Sequence, residues 1–194
     1  MPAVQVTVAT IVRSPLRALL ALLLAFSLLI PAHADEATDR LLDQLFVQLH
    51  DSPDAAAAKT ISDRIWTIWT NPTDPVLAAR MMDVMEARTT RSMETTLELL
   101  NELLADFPDY AEGWNQRATL LYMMGDYDAS IADCAKVLEL EPRHYGALSG
   151  RALMYLQQGK RSLALRDMKA ALALHPFLSE KSLFPELEQQ VTRT

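Results

Sequence analysis

The chain has 194 residues, half of them apolar and 22% charged, enough for one domain with its own core. Eighteen Lys and Arg against 25 Asp and Glu give a formal net charge of −7, which argues against a nucleic-acid partner, because phosphate binding needs basic patches that displace counterions. The single cysteine, Cys134, excludes an internal disulfide and a multi-cysteine metal site.

Residues 1–34 contain Arg13 and Arg17 and no acid. Ala18 to Ile30, ALLALLLAFSLLI, is uncharged, and Pro31 then leads to Ala32-His33-Ala34. A basic start, a short apolar run and an A-x-A site predict a secretory signal peptide over 1–34, cleaved after Ala34. A helix of that apolar run spans about 20 Å, short of a ~30 Å hydrocarbon core. Retention of the run as an inner-membrane anchor is the alternative. No cysteine follows it and no Arg-Arg pair precedes it, which points to the general secretory route rather than a lipoprotein or twin-arginine one. The expected location is periplasmic or secreted, where a lone cysteine is safe when buried.

Few glycines, no long alternating β-branched runs and abundant Ala, Leu, Met, Glu, Gln and Arg predict an all-α domain over 35–194. In 37–50, Leu41, Leu42, Leu45, Phe46 and Leu49 recur at helical spacing. Asp51-Ser52-Pro53-Asp54 breaks this helix, and Ser52 or Asp54 can cap the next. Ala55 to Trp69 follows, with Trp66 and Trp69 expected in the core, and Asn71-Pro72-Thr73-Asp74-Pro75 stops it. Residues 37–75 thus read as a divergent helical hairpin. Residues 76–110 form a second pair, Val76–Ala87 and Met93–Asp106, closed by Phe107-Pro108-Asp109.

The segments 111–144 and 145–178 repeat one pattern 34 residues apart. Trp114 aligns with Leu148, Arg117 with Arg151, Ala118 with Ala152, Gly125 with Gly159, Asp133 with Asp167, Leu138 with Leu172, and Pro142 with Pro176. Pro108 extends the register backwards, placing Val84 at the small-residue position, Leu100 at the aromatic position and Leu103 at the last core position. Residues 179–194 offer Ser182 as an N-cap and Leu183, Phe184, Leu187 and Val191 as an apolar face, a capping helix over the last repeat.

The pattern Trp114, Ala118, Gly125, Pro142, then Ala152, Tyr155, Gly159, Ala164, Pro176 resembles the tetratricopeptide repeat. Arginine stands for leucine at 117 and 151, and Ser130 and Cys134 replace an alanine and an aromatic. The resemblance implies a right-handed α-solenoid of helix-turn-helix units whose first helices line a concave groove. In that register the groove stripe is Glu112, Asn115, Thr119, Tyr122 and Met123, then Gly146, Ser149, Leu153, Leu156 and Gln157.

Other chemistry is poorly supported. His50, His144 and His175 fall at helix ends or turns without metal-ligand spacing, and no nucleophile or phosphate-loop motif is present. Neither enzyme activity, metal nor cofactor is expected. Met81, Met82, Met85, Met123, Met124, Met154 and Met168 fall on expected core or groove faces, where methionine fills irregular gaps. A basic carboxylate clamp is disfavoured, since the stripe lacks Lys and Arg. Arg117 and Asp133 lie equally far from Gly125, as do Arg151 and Asp167 from Gly159, so each pair is expected to meet level across a helical hairpin. The functional expectation is a non-catalytic adaptor that takes a peptide or helical segment of another protein in its groove. The alternative is a membrane-tethered subunit or assembly factor of an envelope complex.

Overall fold

A computed structural model describes the backbone of residues 30–188 and the side chains of residues 36–187. The expected signal segment, residues 1–29 in particular, lies outside the described residues, as does the stretch after residue 188. The helices are α1 (Ile30–His50), α2 (Ala55–Thr70), α3 (Pro75–Thr90), α4 (Met93–Asp106), α5 (Ala111–Met124), α6 (Tyr127–Leu140), α7 (Tyr145–Gln157) and α8 (Arg161–Leu174), then a 3-10 turn (Ser179–Leu183) and α9 (Pro185–Glu188). Among the described residues no helix is long and apolar enough to cross a membrane. By contact the chain divides into Met1–Asp39 and Arg40–Thr194. The described part of the first is helical, residues 30–39. The second carries the core and all that follows.

Short polar side chains set the helix starts. Asp54, not Ser52, caps α2: its carboxylate accepts from the Ala57 N–H at 2.8 Å, while Ser52 Oγ donates back to the Gln48 carbonyl. Asp74 accepts from Val76 and Leu77, with Pro75 in the first turn where a missing N–H costs nothing. Ser92 and Asp126 cap α4 and α6 in the same way. Gly125 and Gly159, at φ 84° and 69°, take the left-handed conformation that turns each first helix into its second.

Three hairpins, α3–α4, α5–α6 and α7–α8, pack one on the next as a right-handed α-solenoid. Val84, Ala118 and Ala152 are at most 2% exposed, and Leu100 and Leu103 are fully buried, so the degraded first unit keeps the same core positions. Ser130 turns its departure from the repeat pattern into a buried bond, donating from Oγ to the Ala118 carbonyl at 2.6 Å across the α5–α6 hairpin. Gly113 is needed for packing rather than for a turn: a Cβ there would lie 2.9 Å from Leu103 Cδ2 and 3.0 Å from Leu104 Cδ2.

The α1–α2 pair builds a cluster of Leu42, Leu45, Phe46, Leu49, Ala58 and Ile65 that continues onto Tyr145, Leu174 and Phe177. It therefore packs along the turns that link successive hairpins. His50 donates from Nδ1 to the Ala173 carbonyl at 2.9 Å, Arg143 pairs with Asp43, and the Arg143 guanidinium lies 4.8 Å from the Phe46 ring centroid.

The far end is closed by one aromatic. Phe184 is fully buried against Ala152, Ala164 and Met168, with the Arg161 guanidinium over its ring. Ser182 sits inside the 3-10 turn and donates to the Ser179 carbonyl instead of capping a helix.

Both arginine–aspartate pairs form. Arg117 grips Asp133 with two prongs, Nε to Oδ2 at 2.7 Å and Nη2 to Oδ1 at 2.8 Å, while Nη1 donates to Asn101 and the guanidinium stacks 4.6 Å from the Trp114 ring. Arg151 Nε meets Asp167 Oδ2 at 2.6 Å, and Arg166 takes the other carboxylate oxygen. Asp133 and Asp167 are 6% and 2% exposed; truncating Arg117 strands the Asp133 carboxylate, whereas Asp167 would keep Arg166 if Arg151 were truncated. A double-mutant cycle on Arg117→Ala and Asp133→Ala is expected to return a coupling of about 1–3 kcal/mol by denaturant unfolding. A coupling of zero would mean the pair is ornamental.

Candidate functional site

A cavity of about 140 Å³ opens between α5 and α7 with α6 behind it. Asn115, Thr119 and Tyr122 form one wall, Gly146, Gly150 and Leu153 the other, and Ala118, Ser130, Cys134 and Met154 the floor. The hollow exists because α7 shows the groove two glycines a turn apart. A Cβ built on Gly150 meets nothing within 4 Å, so the space there is real and unfilled.

Of the stripe expected to line the groove, Asn115, Thr119, Tyr122, Gly146 and Leu153 come together at this cavity. Met123 and Gln157 are exposed near the C-terminal ends of their helices. Leu156 is half-buried and packs on the Ala152, Ala164 and Phe184 cluster. Two residues are not groove surface at all. Ser149 is 4% exposed and donates its hydroxyl to the Gly146 carbonyl. Glu112 is 2% exposed because its carboxylate is consumed: His144 Nε2 lies 3.0 Å from Oε2, the Gln116 amide donates to Oε1, and Asn115 Nδ2 reaches both oxygens. Equal register with exposed positions does not survive a neighbour that satisfies a buried charge.

His144 holds this arrangement. Its Nδ1 accepts from the Ala147 N–H at 3.1 Å, capping α7, so Nε2 carries the proton that faces Glu112. The Trp69 indole stacks on the imidazole, with centroids 4.2 Å apart and planes within 10°. Gln116 continues the line by accepting from Arg88 on α3. The polar chain Arg88–Gln116–Glu112–His144 thus crosses three first helices. Gly150 was not among the expected groove residues, although its i, i+4 spacing from Gly146 is the local signal that marks it; the His144–Glu112 bond, over 32 residues, had no local signal.

A second hollow, about 400 Å³, lies between α2 and α3. Trp66, Thr70, Asn71, Ala78, Ala79, Met82 and Met85 line it. Trp66 was expected in the core but is 45% exposed, because its position on α2 faces away from the Ile65 cluster. Met81, Met154 and Met168 are buried; Met82, Met123 and Met124 are exposed.

The family model for the tetratricopeptide repeat matches residues 111–144. A TPR repeat-containing protein of Rhizobium etli is 36% identical over 144 residues, covering 74% of this chain and 71% of its own length. The chain belongs to the tetratricopeptide-repeat family. Sperm-associated antigen 1 of Rattus norvegicus is 34% identical over 83 residues, but these are 42% of this chain and 9% of that protein. Among solved structures, the first repeat domain of Spaghetti, bound to the HSP90 peptide SRMEEVD, superposes with a TM-score of 0.54 at 14% identity, covering 60% of this chain and 93% of that one. The tandem repeat domain of yeast Sti1 complexed with pHSP90 gives 0.50 at 17% identity, covering 81% and 63%. These likenesses are of fold.

In this tetratricopeptide protein Cys134 faces the cavity floor at 3% exposure, and burial pushes its thiol up to about 12 although Arg151 pulls the other way. Thiolate is then scarce at neutral pH. Native Cys134 is expected to react with a thiol reagent at least about a hundredfold more slowly than in denaturant. Equal rates would place the thiol in solvent and overturn the register of α6.

Proposed function

We propose that this protein is an exported tetratricopeptide adaptor, without chemistry of its own, whose groove takes an extended or helical segment of another protein. The observation that carries the reading is the unfilled cavity at Gly150, walled by Asn115, Thr119, Tyr122 and Leu153. A cavity of this size suits one aliphatic side chain, and the polar groups at its mouth suit the backbone that presents it. Neither Arg117 nor Arg151 faces a ligand, because each is spent on its aspartate. That leaves shape and apolar contact, rather than a basic clamp, as the recognition chemistry. A peptide-bound relative of the same fold supports the mode of binding.

The test is a photo-reactive residue placed at Leu153 and irradiated with an envelope fraction. One dominant protein adduct is expected, and Gly150→Phe should reduce it at least about tenfold, as loss of a buried anchor does. The thermal midpoint should hold, since the ring enters open space. An adduct indifferent to Gly150→Phe, or matched by a probe at the exposed Lys169 on α8, would sink the groove as the site.

Export rests on residues 1–34. The basic start, the Ala18–Ile30 run and Ala32-His33-Ala34 favour a periplasmic or secreted form beginning at Asp35. N-terminal sequencing of the exported protein is expected to begin at Asp35 in a soluble fraction. A membrane-bound form that keeps Ala18–Ile30 would favour the tethered envelope subunit instead.

A further inference from the structure

The position of α2 along the repeat turns leaves one stacking face of the repeats open. On α5, Gly113 and Leu120 pack against the preceding hairpin: a Cβ at Gly113 would meet Leu103 and Leu104 of α4, and Leu120 joins their cluster. On α7, Ala147 and Met154 hold the same register and are buried with Ala118, Cys134 and Val137 of the α5–α6 hairpin. The 34-residue register carries these positions to Ala79 and Glu86 of α3, with Gln116 falling on Met82 and Tyr110 on Val76. Here they are open. Val76 is 57% and Met82 67% exposed, and Ala79, Asp83 and Glu86 are exposed as well. Chain order would seat α2 on this face, as α4 is seated on α5 and α6 on α7. Instead Trp69 is stacked on His144, Tyr110 donates to the Trp69 carbonyl at 2.6 Å, and Tyr145 donates to the Ser62 carbonyl, so α2 is held along the turns. The hollow of about 400 Å³ between α2 and α3, lined by Ala79 and Met82 and by the half-exposed Trp66, is part of the seat left over.

We propose that this face of α3 docks a basic amphipathic helix of a partner protein, antiparallel to α3, in the kind of seat that α4 takes on α5. The hollow shares no lining residue with the cavity at Gly150, so this site is separate from the groove. Charge selects the occupant. Asp83 holds the register of Arg117, whose Nη1 donates to Asn101 of the preceding α4 at 2.9 Å, so a side chain at this position reaches the helix stacked on it. Glu86 holds the register of Leu120, which is buried against the preceding hairpin. Among the described residues neither carboxylate is ion-paired; Arg80 is taken by Asp106 and Arg88 by Gln116. A helix seated here brings apolar side chains to Val76, Ala79 and Met82 and Lys or Arg to Asp83 and Glu86, because covering a carboxylate without a counter-charge is costly. Apolar residues at i, i+3 and i+4 with bases beside them meet that need. A second copy fits poorly. Two of these faces would meet acid against acid, and the far end of the array is already closed by Phe184.

Two stapled helical peptides serve as probes, both copying Met93–Asp106 with the Leu100, Leu103 and Leu104 face of α4. One carries Leu97→Lys and Asn101→Lys, the other Leu97→Glu and Asn101→Glu. The lysine probe is expected to bind the full chain at least about tenfold more tightly than the glutamate probe. It should shift the Ala79 and Met82 methyl resonances and leave Leu153 in place. The double variant Asp83→Lys, Glu86→Lys should reverse the preference, and Gly150→Phe should not alter it. No binding of the lysine probe, equal binding of both probes, a preference that survives the charge reversal, or shifts confined to Tyr122 and Leu153 overturns the proposal. So does a native dimer in sedimentation that Met82→Lys dissolves, since a second copy then holds the face. If the charge-reversed variant does not fold, Ala79→Arg decides, because it crowds the seat from an exposed position. Lysine-probe binding weakened about tenfold or more supports the docked helix, and undiminished binding overturns it.

Discussion

The imidazole of His144 binds through both nitrogens and one face: Nδ1 to the head of α7, Nε2 to the Glu112 carboxylate on α5, and the ring plane to Trp69 on α2. Three parts of the fold meet on one side chain. Without the imidazole, the buried Glu112 side chain would keep only the Gln116 and Asn115 amides as partners, and a buried polar group left short of partners is destabilising. Without Trp69, the ring would have a wet face. The N-terminal hairpin is therefore joined to the repeats by one buried imidazole that makes contact at all three points.

That junction also sets what remains of the groove. It removes Glu112 from the surface, and Asn115 partly with it, since the Asn115 amide donates to the same carboxylate. The open part shifts towards Thr119, Tyr122 and Leu153, where the glycines of α7 leave room. Charge is drawn away from the groove as well. Arg117 and Arg151 are turned to the second helices of their own hairpins, and Arg88 is engaged by Gln116. A net-acidic chain with its nearest arginines already paired offers its partner apolar volume and a few amide and hydroxyl groups.

Departures from the repeat pattern follow the same economy. Ser130 fits where alanine is usual because it reaches the Ala118 carbonyl, so its hydroxyl is satisfied inside the hairpin. Cys134 fits where an aromatic is usual because a small residue there leaves the cavity floor low. Only the cysteine subtracts volume from the cavity floor; the serine adds a hydroxyl that its bond to Ala118 accommodates. The last unit compensates at the other end, where Phe184 fills the surface that a further repeat would cover.

The primary structure by itself determined the elements and their stacking. The caps at Asp74 and Ser92 came from the structure, but the helix start at Asp126 and the reversals at Gly125 and Gly159 were legible, the start of α2 was narrowed to Ser52 or Asp54, and the level meeting of Arg117 with Asp133 lay in equal distances from the turn glycine. These are local or periodic constraints, and a 34-residue repeat states them twice. Tertiary structure alone decided which groove positions stay open, where the α1–α2 hairpin lies, and that Trp66 faces solvent while Trp69 covers His144. The reason is physical. Burial of a polar side chain depends on partners that satisfy it, and the partners of Glu112 and Trp69 come from helices 32 and 75 residues away, at distances over which periodicity carries no information.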